Sequence, residues 1–338
     1  MIYIVIAYLW LAVLLYLLMG GADFGAGIIE LFTSAKNKDR TRRTMYKAIG
    51  PIWEANHMWL IITIVILFVG FPAIYTTMSI HLHIPLAIML LGIIARGTAF
   101  TFRNYDAVVD DMQVIYSRIF RYASVITPLF LGIIAGSAVS GRIDPTATNF
   151  LDAYIYSWLN LFSVAIGLFT VSICGFLAAV YLIGETDNET DRRRFIAKTK
   201  SMNVAAVISG SLVFLSARWE HIPLTEWVFG NPVGIIAVTA AILSLVLLWY
   251  LLYQHKTRIL RVLAGFQVTM ILLTTTYRHY PNIVILKHGA PLSLLADQGH
   301  DKTIESLGWA LLIGSIFILP ALFYLIYSFQ TKKGEAAH

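Results

Sequence analysis

The chain has 338 residues, 58% of them hydrophobic and 13% charged. A soluble domain carries about a quarter charged residues, so this composition, with apolar runs of eighteen or more, excludes an ordinary soluble enzyme and marks a polytopic membrane protein. The net charge of +6 lies in short loops, where it sets topology rather than binding nucleic acid, and the single cysteine, Cys174, excludes an intrachain disulfide.

The hydropathy pattern predicts an all-α membrane protein of nine spanning helices, at about 2–32, 51–77, 80–103, 119–141, 153–183, 200–218, 231–254, 259–279 and 306–329. The helix count groups residues 1–142 and 153–280 as two four-helix bundles, with residues 305–330 as a peripheral ninth helix. With the N-terminus outside, 19 of the 25 basic residues fall in inside loops and five in outside loops. That asymmetry predicts an N-out, C-in protein.

The first helix carries "LLMGGADFGAGIIELF" (17–32), with Gly20, Gly21, Gly25 and Gly27 around Asp23. Gly21 and Gly25 form a small-xxx-small pair that lets another helix approach closely. Asp23 and Glu30 are seven residues apart and share a face. A buried intramembrane acid calls for a cation, and by default it marks a functional site.

The second helix opens with "GPIWEANHMWL" (50–60), where Gly50 and Pro51 suit a helix start. Glu54 falls in the first turn, with His57 and Met58 on its side at i+3 and i+4. Trp53 and Trp59 are expected at the inner interface. The third helix ends in "ARGTAFTFR" (95–103). Arg96 and Arg103 are also seven apart, so Arg103 is expected to snorkel to the interface and Arg96 to lie ~10 Å deeper. Asp23 is the natural partner for Arg96, because both helices end inside. Asp23, Glu54, His57 and Arg96 are thus the candidates for a proton path or a buried-charge site.

The remaining helices add apolar length and few charges. The connection at about 280–305 holds Pro281, Gly289, Pro291 and Gly299 and reads as a structured outside loop. No histidine pair sits at mid-depth on facing helices, so this chain alone is not expected to bind haem. No Cys/His cluster for zinc and no nucleophile–base motif is present.

Four ordered segments, "GGADFGAG" (20–27), "GPIWEANHMWL" (50–60), "GFPAIY" (70–75) and "ARGTAFTFR" (95–103), resemble subunit II of cytochrome bd-type quinol oxidases, including the cyanide-insensitive branch. The resemblance implies a heterodimer in a bacterial or archaeal cytoplasmic membrane that oxidises quinol and reduces oxygen to water. It implies a haem-bearing subunit I with haem b and haem d-type centres, and a haem-free subunit II that supports it. A part in proton uptake or oxygen access, a bound structural quinone, and a small accessory subunit are further implications. Asp23, Glu54 and Arg96 match polar positions of the family. Gly20 and Thr101 depart from it, since some members carry an acid at the first position and many at the second, and both departures remove carboxylates from a proton route. The alternatives are a proton-coupled secondary transporter using Asp23 and Glu54 and a purely structural assembly subunit.

Overall fold

The computed structural model describes residues 1–49, 53–105, 112–186, 188–254, 256–257 and 259–335, without the side chains of 47, 49, 54, 55, 104, 105, 323 and 325–335. The elements in chain order are α1 (Ile2–Leu31), α2 (Lys38–Ile49), α3 (Trp53–Gly70), α4 (Pro72–His81), α5 (His83–Tyr105), α6 (Met112–Val139) and α7 (Phe150–Tyr154). They continue with α8 (Leu161–Ile183), α9 (Glu189–Trp219), α10 (Leu224–Phe229), α11 (Pro232–Tyr253), α12 (Leu260–His279), the strands β1 (Asn282–Val284) and β2 (Leu292–Ser293), and α13 (Asp301–Glu335). Among the described residues, eight helices are long and apolar enough to cross a membrane, and the bent pair α3–α4 makes a ninth.

That bend corrects the expected straight helix over 51–77. The helix stops at Gly70 and the chain turns through 114° into α4. Phe71 takes φ −136° and ψ 61°, outside the helical region, and Pro72 opens α4 at its first position. Proline has no N–H to continue the preceding helix, and its fixed φ suits a new start. At 1.5 Å per residue, the 18 residues of α3 are ~27 Å long, close to the hydrocarbon thickness without α4.

Helix starts follow capping asparagines that hydropathy alone misplaces. Asn160 Oδ1 accepts from Ser163 N at 2.8 Å, so α8 begins at Leu161 and not near 153. Asn188 Oδ1 accepts from Thr190 N at 2.9 Å, which starts α9 at Glu189, eleven residues before the apolar run at 200. α1 is not broken by its glycines. It widens into one π-type turn at Tyr16–Gly20 and stays helical to Leu31.

The second half of α1 packs between α6 and α8, α5 packs on α6, and α9 on α8. The first half of α1 meets α3 and α13. A Cβ at Gly25 would overlap the Cys174 carbonyl oxygen of α8, and one at Gly27 would overlap the Ser124 hydroxyl of α6. Gly21 is looser, with its nearest neighbour Leu177 Cδ1 at 3.2 Å from a built Cβ. The glycines therefore seat α1 against two helices at once.

Polar ties close both ends. At the Lys/Arg-rich end, Arg40 and Arg194 both pair with Asp191, at 2.9 and 2.6 Å, joining α2 to α9. Lys198 donates to the Phe32 carbonyl. At the opposite end, the strands of the loop after α12 pair antiparallel. That loop is tied back by Ile285 N to the Ala138 carbonyl and Lys287 N to the Ile143 carbonyl, both at 2.8 Å. Beside it, the Thr146 hydroxyl and amide donate to Asp144 and hold its carboxyl below the usual carboxylate range, with His288 and Lys287 adding smaller pulls.

Two outcomes follow. Gly25→Ala should lower the thermal stability of the assembled protein by roughly 1–3 kcal/mol or more, as overpacking does. Gly265→Ala is the control, because the nearest atom to its built Cβ is 3.9 Å away. The second outcome concerns Asp144. A depressed folded pKa stabilises fully above the unfolded value of about 3.9 and is lost as pH falls through the folded value. Amide protection at Ile285 and Lys287, corrected for intrinsic exchange, should be flat from about pH 5 to 8 and drop in stronger acid. Asp144→Asn should remove that acid-dependent step.

Candidate functional site

The heptad spacings on α1 and α5 meet in register. Arg96 Nη1 donates to Asp23 Oδ2 at 2.8 Å, and Arg96 Nη2 donates to Asp23 Oδ1 at 2.6 Å. Arg96 Nη2 also donates to the Asp23 carbonyl at 2.8 Å, and Nε donates to Ser124 Oγ of α6 at 3.1 Å. One helical heptad onward, Arg103 Nη1 donates to Glu30 Oε2 at 2.8 Å. The two helices run parallel, so the same offset builds two rungs ~10 Å apart. Asp23 and Arg96 are each 1% exposed, so bulk solvent does not reach this pair.

Arg103 therefore does not snorkel. It is 4% exposed and bound to Glu30, because an acid one heptad beyond Asp23 is within reach and spares the side chain the path to the surface. Phe120 of α6 joins the two rungs. The Arg96 guanidinium carbon lies 4.9 Å and that of Arg103 4.2 Å from the centre of its ring. Phe24 flanks Arg96 at 5.2 Å. Both cations thus lie over aromatic faces as well as beside carboxylates. Four of the five N–H groups of Arg96 have partners, and both Asp23 oxygens are occupied. Glu30, Phe120 and Ser124 belong to the site although the sequence singled out only Glu30 among them, and only by spacing.

A second group of polar atoms lies on the α1–α3 side. The rings of Tyr16 and His57 are 6.5 Å apart, and Phe24 and Trp53 lie 6.0 and 6.5 Å from His57. Tyr16 Oη, His57 Nδ1, Asn56 Oδ1 and Trp59 Nε1 are buried atoms without a protein hydrogen-bond partner. Such groups are costly unless ordered water or a ligand satisfies them. Trp59 is 5% exposed, packed among Ala12, Tyr16 and Phe24. It sits two turns into α3, on the face turned to α1. Trp53 is half-buried against Gly97 and Phe100 of α5, with ring centres 5.2 Å apart for the aromatic pair. The Glu54 side chain lies outside the described residues.

The two departures have structural counterparts. A Cβ at Gly20 would come within 3.0 Å of the Tyr16 ring, so the tyrosine fills the space of a side chain there. Thr101 is on the exposed face of α5, turned away from the buried pairs.

Among the described residues, no group of three His, Cys, Asp or Glu could hold a metal ion. An apolar cleft of about 400 Å³ opens between α8, α9, α11 and α12 and is lined by Phe169, Phe176, Phe214, Gln267 and Thr274 among others. Gln267 is buried, and its Nε2 has no protein partner. The cleft is within the size range of small-molecule sites, and the Gln267 amide offers it a free donor.

The buried pair makes a direct test. Asp23→Asn or Arg96→Gln alone strands a polar or charged group and should destabilise the protein by about 3–5 kcal/mol. The double variant should be milder than the sum, read as assembled yield and melting temperature in a double-mutant cycle. Strictly additive losses would show that the 2.6 Å contact carries no coupling.

Comparison with known proteins identifies the family and the fold. The family model described as cytochrome bd terminal oxidase subunit II matches residues 1–329. The cytochrome bd ubiquinol oxidase subunit 2 of Bacillus subtilis is 26% identical over 245 residues, covering 70% of this chain and 71% of that one. The cytochrome bd-I ubiquinol oxidase subunit 2 of Escherichia coli K12 is 24% identical, covering 64% of this chain and 58% of that one. In fold, the chain is similar to one in the bd oxidase of Geobacillus thermodenitrificans, with a TM-score of 0.76, 20% identity and coverage of 97% and 98%. The chain belongs to the family of cytochrome bd terminal oxidase subunit II.

Proposed function

We propose that this chain serves as the haem-free subunit II of a quinol:oxygen oxidoreductase in a bacterial or archaeal cytoplasmic membrane. The family match across residues 1–329 carries this reading. Its partner is a haem-bearing subunit I, which holds haem b and haem d-type centres and the main quinol site. The Lys/Arg-rich end faces the cytoplasm, as the loop charges favour. The transporter reading has no comparable support, since none of the relatives reported above is a transporter.

Within that complex, the two kinds of polar group divide the work. Asp23–Arg96 and Glu30–Arg103 hold α1, α5 and α6 together and present a rigid wall to subunit I. A carboxylate with both oxygens bound to a guanidinium is a poor proton carrier, so Asp23 is a holding residue. Glu54 and His57 are the proton-path candidates. Glu54 sits in the first turn of α3, at the Lys/Arg-rich end, and His57 follows one turn later beside Tyr16. The partnerless atoms of Tyr16, Asn56, His57 and Trp59 support a hydrated path there. The cleft with Gln267 is the candidate place for a bound quinone, because its apolar walls suit an isoprenoid chain and the amide suits a quinone carbonyl.

Oxygen consumption by the purified two-subunit complex tests the path. Glu54→Gln should lower quinol-driven turnover by about tenfold or more with haem content intact, since general acid–base groups contribute at least that much. Unchanged turnover at full haem content would remove Glu54 from the path.

A further inference from the structure

A polar pocket of about 510 Å³ lies at the end of the molecule opposite the Lys/Arg-rich loops. It is walled by the start of α8, the end of α9 and the segments around Arg142 and Lys287. Glu220 and Asn160 organise its floor. Glu220 Oε1 accepts from Leu161 N at 2.8 Å and so joins Asn160 in capping α8. Glu220 Oε2 has no hydrogen-bond partner, although the side chain is only 9% exposed. Its nearest cation, Arg142 Nη2, is 3.6 Å away, beyond hydrogen-bond length. Asn160 Nδ2 is likewise buried and without a partner.

The pocket thus offers an unsatisfied anionic acceptor, an unsatisfied amide donor and two cations, with the exposed Asp152 carboxylate on its wall as a second anion. Arg142 and Lys287 are each about half exposed, with side-chain exposures of 45% and 48%. Lys287 also reaches Asp144 at 3.5 Å. A ligand that satisfies all of these carries a hydrogen-bonding cation and an anion with several oxygens. The surroundings add an apolar requirement. Tyr156, Leu159 and Leu161 line the same pocket and are 53%, 51% and 59% exposed. Leu161 is the first residue of a membrane-crossing helix, so the pocket stands at the polar edge of the hydrocarbon layer.

We propose that this pocket is a binding site for the headgroup of a zwitterionic phospholipid with a primary ammonium. The ammonium donates to Glu220 Oε2. The phosphate accepts from Arg142, Lys287 and Asn160 Nδ2. The acyl chains leave along Tyr156, Leu159 and Leu161. The site selects a primary ammonium over a quaternary one, because the partnerless carboxylate oxygen needs an N–H donor that a trimethylammonium lacks.

Native mass spectrometry of the two-subunit complex tests this. The complex, stripped by detergent exchange, is incubated with equal amounts of dioleoyl phosphatidylethanolamine, phosphatidylcholine and phosphatidylglycerol. The last lipid retained on activation should be phosphatidylethanolamine, favoured over phosphatidylcholine by roughly tenfold, the effect of one charge-assisted hydrogen bond. Glu220→Gln should bring that ratio close to one. Arg142→Gln, a change at a half-exposed side chain, should weaken retention of both lipids while leaving their ratio. Equal retention of phosphatidylethanolamine and phosphatidylcholine by the unaltered complex would overturn the proposal. So would a preference for phosphatidylglycerol, or a ratio indifferent to Glu220→Gln.

Discussion

The bond between Arg96 and Asp23 is the constraint around which the first half of the protein is arranged. A guanidinium and a carboxylate, each 1% exposed, are tolerable inside an apolar molecule only when their hydrogen bonds are met. Meeting them needs α1, α5 and α6 together, since Asp23, Arg96 and Ser124 come from three helices. Once that junction forms, the Glu30–Arg103 rung and the Phe120 ring between the cations follow from the shared heptad spacing. Charge thereby fixes the register of two parallel helices that lipid-like packing alone would leave free to slide.

The glycines of α1 make that junction reachable. The charged face turns toward α5, while Gly25 and Gly27 let α8 and α6 approach the backbone from other sides. A helix with ordinary side chains at those positions would be held away from α8. The π-type turn just before them, at Tyr16–Gly20, widens the helix where the Tyr16 ring covers Gly20. Widened turns recur at functional sites because they re-aim side chains, and here the turn lies beside the partnerless polar atoms of Tyr16 and His57.

Asp23 and Arg96 are satisfied within their pair, whereas Tyr16, Asn56, His57 and Trp59 on the α1–α3 face each keep a buried atom without a protein partner. Gly20 and Thr101 leave the Asp23–Arg96 pair undisturbed. One is closed over by an aromatic ring, and the other points outward from α5, so neither interrupts the buried pairs.

Much of this was legible in the residues alone. Membrane class, helix number and the heptad matches of Asp23 with Glu30 and Arg96 with Arg103 need only composition and the helical period. The family resemblance needed only short motifs in order. Tertiary structure alone decided that Arg103 turns inward to Glu30, that Trp59 is buried against α1, and that the helix over 51–77 bends sharply at Phe71. It also decided which glycine touches which neighbour, and that Glu220 caps α8 across 59 residues of sequence. The reason is physical. Periodicity along one helix tells which side chains share a face, but the partner that a face meets depends on the relative rotation and depth of two helices. Those are set by close packing and by satisfying buried polar groups across the whole bundle at once.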